Sequence, residues 1–320
     1  MLIGGLWLWM GLHMEKSEVR MQRRLSGTAV LSALIFAVGL LAGGSAYAQQ
    51  PLRVFISVDM EGISGIGTPK MVSGSGKDYA TGRQLTTADV NTVVDAIFEH
   101  GPAEILVNDS HGDMQNVLHT ELDERVQYIQ GHIKPLGMVE GLDESFDAVI
   151  LLGHHARAGT EGGFIAHTGS GSVKGLWLNG VEVGEAGLNA YYAGALGVPV
   201  ILAQGDSTFA EQISQLFDVH TVVTKYAIGS SVARLVHPEV ARARLRTTTL
   251  EALADLSSAT PIPVQVPMTV RMRFASTTRA DILQAIPGMR RIDGWTVEYT
   301  ADTMVDAYKM VRLMYKYISW

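Results

Sequence analysis

Leu52-Arg-Val-Phe-Ile-Ser-Val58 runs directly into Asp59-Met60-Glu61, and the fold is decided by how those ten residues are read. The first seven, rich in Val, Ile and Phe, have the length and composition of a buried strand. Reading outward, the same device recurs. A strand over 105–107 closes in Asn108-Asp109-Ser110-His111, and one over 148–152 closes in Gly153-His154-His155. Between them residues 86–100 read as an amphipathic helix, with Val90, Val93, Val94 and Ile97 on one face and Thr86 or Thr87 as its cap. Residues 126–129 read as a further strand. Asn179-Gly180 marks a two-residue hairpin turn inside 176–183. A helix over 185–196 and a strand over 199–203 follow. The next elements are a helix over 209–217, a strand over 220–225 and a helix over 238–256. Such alternation predicts an α/β fold, a mostly parallel sheet with helices on both faces.

Two prolines in 257–263 read as a linker. Beyond them, strand, helix, strand and helix patterns predict a small C-terminal α+β unit. The expected organisation is therefore a leader over 1–48, an α/β metal-binding catalytic domain over 49–258 and the small unit over 259–320.

The leader rests on Arg20, Arg23 and Arg24, an apolar run over 29–42, and Ala46-Tyr47-Ala48 as a cleavage site before Gln49. That order is a secretory signal, and the apolar run is short for a membrane span. Met14 or Met21 as the true start would give a leader of conventional length. The mature protein is expected to be exported, to the periplasm, without stable membrane insertion after cleavage. Net charge is −7 over 320 residues, and the leader holds four of the basic residues against two acidic ones. The mature body is thus more acidic still, which argues against nucleic acid as a partner. The chain has no cysteine. Disulfides, thiolate zinc sites and a thiol nucleophile are excluded together, so a metal must sit on His, Asp and Glu.

Asp59, His111 and His155 all fall at or just past the C-terminal end of a predicted strand, the edge where open α/β sheets bind ligands. Asp59 and Glu61 are two apart and share a side of the strand, so their charges call for a cation. Asp109 is either a further ligand or an acceptor that orients an imidazole. His154 and His155 face opposite ways, and one of them enters the site. His167 follows a glycine-rich loop suited to closing over a substrate. Glu185 opens a helix, where its charge also meets the dipole. Two histidines and three carboxylates suit a pair of divalent metals sharing a bridging carboxylate, which together activate a water and clamp a tetrahedral transition state. Zinc fits these ligands, as do manganese and cobalt.

The motifs 57–65 (Ser-Val-Asp-Met-Glu-Gly-Ile-Ser-Gly), Asn108-Asp-Ser-His111, Lys134-Pro135 with 138–143, Gly153-His-His-Ala-Arg157 and 184–191 (Gly-Glu-Ala-Gly-Leu-Asn-Ala-Tyr) come in order along the mature chain. Together they resemble the DppA-type D-aminopeptidase family, the M55 peptidases. The resemblance implies a zinc-dependent peptidase that removes N-terminal D-residues, often D-Ala, from short peptides. It also implies a ring-forming homo-oligomer with enclosed sites and about two zinc ions per subunit. Carried over by motif, Asp59, Glu61, His111, His155 and Glu185 are the metal ligands and His167 is the catalytic histidine. Two alternatives stand beside it, a dinuclear metallophosphoesterase and a periplasmic peptide- or metal-binding protein.

Overall fold

The computed structural model describes residues 50–317. The expected leader and its cleavage site at Ala46-Tyr47-Ala48 lie outside the described residues. β1 (Leu52–Val58) leads to a long helix, α1 (Tyr79–His100), then β2 (Ala103–Asp109), β3 (Gln127–Ile129) and β4 (Ala148–Leu152). A hairpin of β5 (Val173–Leu178) and β6 (Val181–Glu182) delivers the chain into α2 (Glu185–Ala195). β7 (Val200–Asp206), α3 (Ser207–Ser214), β8 (His220–Gly229), β9 (Val232–Leu235) and α4 (Pro238–Ala254) follow. β10 (Met268–Phe274), α5 (Thr277–Leu283), β11 (Arg290–Arg291), β12 (Thr296–Ala301) and α6 (Met304–Arg312) complete the order.

Seven strands form the main sheet in the order β3-β2-β1-β4-β7-β8-β9, parallel except for the closing β8–β9 pair. Alternation along β1 separates two cores, because successive side chains in a strand point to opposite faces. Val54, Ile56 and Val58 meet Val90, Val93, Val94 and Ile97 of α1 and Leu245 of α4. Phe55 turns the other way, joining Val149, Leu151, Leu188 of α2 and Tyr308 of α6. Helices therefore cover both faces, as the alternating pattern predicts. Among the described residues no helix is long and apolar enough to cross a membrane.

Two differences from the sequence reading are instructive. Helix α1 begins at Tyr79, well before the expected threonine cap. The hydroxyls of Thr86 and Thr87 instead bond back to the carbonyls of Gly82 and Arg83, at 2.9 and 3.0 Å, and so satisfy themselves inside the helix. The α+β unit expected from 259 onward does not keep to that boundary either. Its antiparallel sheet runs β11-β12-β10-β5-β6, and β10 pairs with β5 so that Val270 faces Leu178. Two of its five strands thus come from between β4 and β7 of the main sheet.

At the C-terminal edge of the main sheet, glycines let backbones touch. A Cβ on Gly62 would stand 2.1 Å from the carbonyl oxygen of His154. Gly153, at φ +74°, would put one 2.2 Å from the carbonyl oxygen of Asp59. The turns that follow β1 and β4 are pressed together there, and the predicted site residues sit on both.

Candidate metal centre and active site

Asp59 and Glu61 lie on the turn after β1, His111 just past β2, His155 and His167 on the loop after β4, and Glu185 at the first residue of α2. All six converge. His111 Nδ1 is 2.9 Å from Asp59 Oδ1 and 3.1 Å from Glu61 Oε2. His155 Nε2 is 3.4 Å from Asp59 Oδ2 and 3.6 Å from Glu185 Oε2. His167 Nε2 is 3.6 Å from Glu185 Oε1, and its ring stacks on that of His155 with centroids 4.0 Å apart. Asp59, Glu61, His155 and Glu185 are buried.

The imidazole tautomers follow from the partners. A backbone carbonyl only accepts, so the ring nitrogen facing it must carry the proton. His111 Nε2 donates to Val72 O at 2.7 Å, His155 Nδ1 to Ala156 O at 3.0 Å, and His167 Nδ1 to Ile165 O at 2.8 Å. A neutral ring then turns its other nitrogen, a lone pair, toward carboxylates. Lone pairs facing carboxylates in a buried space repel unless a cation lies between them.

The titration directions report the same demand. For His111 and His155 burial favours the neutral ring. The neighbouring charges outweigh it, Glu61 and Asp59 at His111 and Glu185 and Asp59 at His155, and hold both well above the usual range. Burial alone would raise Asp59 and Glu185, yet the facing imidazoles hold Asp59 well below the carboxylate range and Glu185 near about 2.

A divalent cation fits this space. Asp59 Oδ2, Glu61 Oε2 and His155 Nε2 are buried and lack a hydrogen-bond partner among the described residues. Even a charged His111 ring, with a second proton on Nδ1, would serve Asp59 Oδ1 alone and leave Glu61 Oε2 orphaned. Three overlapping groups bring ligand atoms within 4.8 Å of one another: Asp59, Glu61 and His111; Asp59, His155 and Glu185; Glu61, His155 and His167. The donors are imidazole nitrogen and carboxylate oxygen, a set that suits zinc.

The neighbours of the cluster sort differently. Asp109 accepts from the backbone N–H groups of Asn116 and Val117 and from both side chains Asn116 and Gln130, so it braces a loop rather than facing the centre. His154 is buried and stacked on Phe209, with its pKa lowered by burial. Its Nδ1 nevertheless lies 3.9 Å from Asp59 Oδ2. Glu185 Oε1 also accepts from the N–H of Gly169.

Sequence reasoning missed the groups that hold the first turn. Lys225 of β8, fully buried, donates to the carbonyls of Glu61 and Ile63, while Thr224 Oγ1 donates to that of Gly62 at 2.6 Å. Burial pushes Lys225 down to about 7. Asp89 of α1 accepts from Ser64 N at 2.9 Å and Gln204 Nε2 at 2.7 Å. Lys134 Nζ donates to Asn108 Oδ1 and Asp109 O beneath His111. A lysine directly after the β-branched run Thr221-Val-Val-Thr224 is the signal that was available.

Residues 52–313 match the family model described as D-aminopeptidase. A D-aminopeptidase of Bacillus subtilis (strain 168) is 34% identical over 265 residues, covering 82% of this chain and 96% of that protein. The solved structure of the Zn-dependent D-aminopeptidase DppA from Bacillus subtilis, described as a self-compartmentalizing protease, superposes with a TM-score of 0.80 at 34% identity, again covering 82% of this chain and 96% of the other.

Proposed function

The chain belongs to the D-aminopeptidase family, the M55 peptidases, and we propose that it is a zinc-dependent enzyme that removes N-terminal D-residues of the D-alanine type from short peptides at a dinuclear site. One observation carries the reading. Three carboxylates and three imidazole lone pairs meet in one buried space, and three of those atoms are left without a partner.

In this reading Asp59, Glu61, His111, His155 and Glu185 hold two zinc ions. Asp59 would offer an oxygen to each half of the cluster, since its Oδ1 faces His111 while its Oδ2 faces His155. Zinc bound there supplies Lewis acidity, lowering the pKa of water and polarising the scissile carbonyl. The chain's own groups do the rest. The carbonyls of Val72 and Ala156 fix two ring planes, so the ligand atoms need no rearrangement. His167 is 28% exposed at its side chain and sits on a loop, against 13% or less for the other site histidines. That suits it to take up a proton at Nε2 and pass it to the departing amine, as general base and then general acid.

The relative's description as self-compartmentalizing supports a ring-shaped homo-oligomer here, measurable by sedimentation. The leader motif supports export to the periplasm, where N-terminal sequencing is expected to begin near Gln49. For the activity itself, D-Ala-D-Ala and L-Ala-L-Ala are compared with and without a chelator. Chelator-sensitive cleavage of the D-peptide is expected, and indifference to chelator or preference for the L-peptide overturns the reading.

A further inference from the structure

After α6 the chain makes one wide turn, Leu313–Tyr317, and returns across the edge of the main sheet. The aromatic ring of Tyr315 lies against Gly169, where an added Cβ would stand 2.5 Å from the ring. Gly169 is the residue whose N–H holds Glu185. One residue later, Lys316 Nζ donates to Gly112 O at 2.9 Å, and Gly112 follows His111. Arg312 Nη1 donates to the Tyr315 hydroxyl at 2.9 Å, which sets the turn. A single turn of chain thus touches both walls of the cluster, the His111 side through Lys316 and the Glu185 side through Tyr315.

The charge carried there is unexpected in an acidic protein. Lys134, Arg312 and Lys316 gather at this rim. Burial first, and then Arg312, lower the Lys316 pKa, against Glu185 and Asp113, which favour its charged form. Lys134 and Arg312 are buried and committed, to Asn108 and Asp109 and to Tyr315 respectively. Lys316 is only half-buried. An ammonium has three donors, and the Gly112 carbonyl takes one of them.

We infer that Lys316 holds the C-terminal carboxylate of a dipeptide whose scissile bond lies at the cluster, an inference that rests on the aminopeptidase reading above. The length argument is simple. An extended chain advances about 3.5 Å per residue, so a dipeptide places its carboxylate one residue past the scissile carbonyl, and Lys316, bonded to the residue that follows His111, is the half-buried ammonium beside the cluster on that side. A longer peptide puts a neutral amide there and forgoes the charge. Lys316 is in this sense a specificity residue that selects the shortest substrates.

The test compares kcat/KM for D-Ala-D-Ala and for its C-terminal amide, in the wild type, K316R and K316M. A charge-assisted bond at a partly exposed site is worth about tenfold in binding. The wild type is expected to favour the free carboxylate by about that factor, with K316R keeping the preference. K316M is expected to lose it through a higher KM for the carboxylate substrate. A wild-type ratio near one, or an unchanged ratio in K316M, overturns the subsite. Cleavage of neither compound by the wild type overturns the aminopeptidase reading itself, so the two failures are distinguishable.

Discussion

The turn after β1 and the loop after β4 both deliver residues to the same centre, yet they are held in opposite ways. Around Asp59 and Glu61 the backbone is locked. Glu61, Gly62 and Ile63 all give their carbonyls to Lys225 or Thr224, Ser64 gives its N–H to Asp89, and Asp59 N donates to Leu152 O at 2.8 Å. The loop carrying His167 is fastened through groups nearer the surface, with Thr208 Oγ1 donating to Gly162 O, Gln212 Nε2 to Thr160 Oγ1 and Arg157 N to Gln212 Oε1. Ile165 N donates to Ser230 O, His167 N to Ala156 O and Ala158 N to Thr168 Oγ1. Ile165 itself sits at φ +50°, a left-handed conformation costly for a β-branched residue. The contrast teaches a division of labour. Groups that must hold charges apart are fixed by buried bonds before any cation or substrate arrives, whereas His167, the proposed proton donor, rides on a segment held largely by half-buried and exposed ones.

The sharpest way to break that comparison is to remove a residue from each side. His155→Ala takes away a ligand and is expected to lower metal affinity by more than about 100-fold, beyond the range of about 10–100-fold for supporting partners. Metal analysis after dialysis measures it. His154→Ala, one position away, is expected to keep its metal. His167→Ala is expected to retain bound metal while losing about 10²–10⁴-fold in turnover. A metal-free His167→Ala protein would move that histidine from the proton-transfer side to the ligand side.

Subtler changes sharpen the contrast. Lys225→Met leaves the buried Glu61 carbonyl without a donor and takes one of two donors from that of Ile63, which keeps the Ile66 N–H. It is expected to destabilise the metal-free protein by about 1–3 kcal/mol, read by urea denaturation. No substitution in the 159–163 stretch is expected to cost as much, and one that did would erase the distinction. The smallest effect concerns pH. Burial pushes Lys134 from 10.5 down to about 8 in the folded chain. Between about 8 and 10.5 the unfolded chain therefore holds the extra proton, and stability rises with pH across that window. Lys225, pushed down further by burial, adds a slope of the same sign, so Lys134→Met is expected to lessen rather than abolish the rise in urea midpoints measured over the same range.

Much of this site was legible because parallel sheets present their C-terminal edge as a row. Asp59, His111 and His155 each end or follow a short apolar run, and period alone marks those runs as strands. Glu185 was legible as the opening of a helix. The locks were not, because they join residues far apart in sequence. Lys225 reaches Glu61 across 164 positions, and no local pattern announces such a pair. Asp109 misled for the opposite reason. It sits two residues from His111 in a ligand-like motif, yet turns to Asn116, Val117 and Gln130. Strand alternation set His154 and His155 on opposite sides, and the structure turns His155 toward Asp59 and Glu185 and stacks His154 on Phe209, but alternation did not foretell the short distance between His154 and Asp59. The pairing of β5 with β10 was equally invisible, since antiparallel partners about ninety positions apart leave no trace in composition.

That last pairing sets an order of assembly. The hairpin β5–β6 leads straight into Glu185, and its neighbour β10 lies about ninety residues later. While the chain is being synthesised, the residues from Asp59 to His155 emerge long before the sheet that seats Glu185 can close. Contacts of such separation form late, after their loop entropy has been overcome. The nascent protein therefore carries half a metal centre, and it can hydrolyse nothing until its far end has arrived.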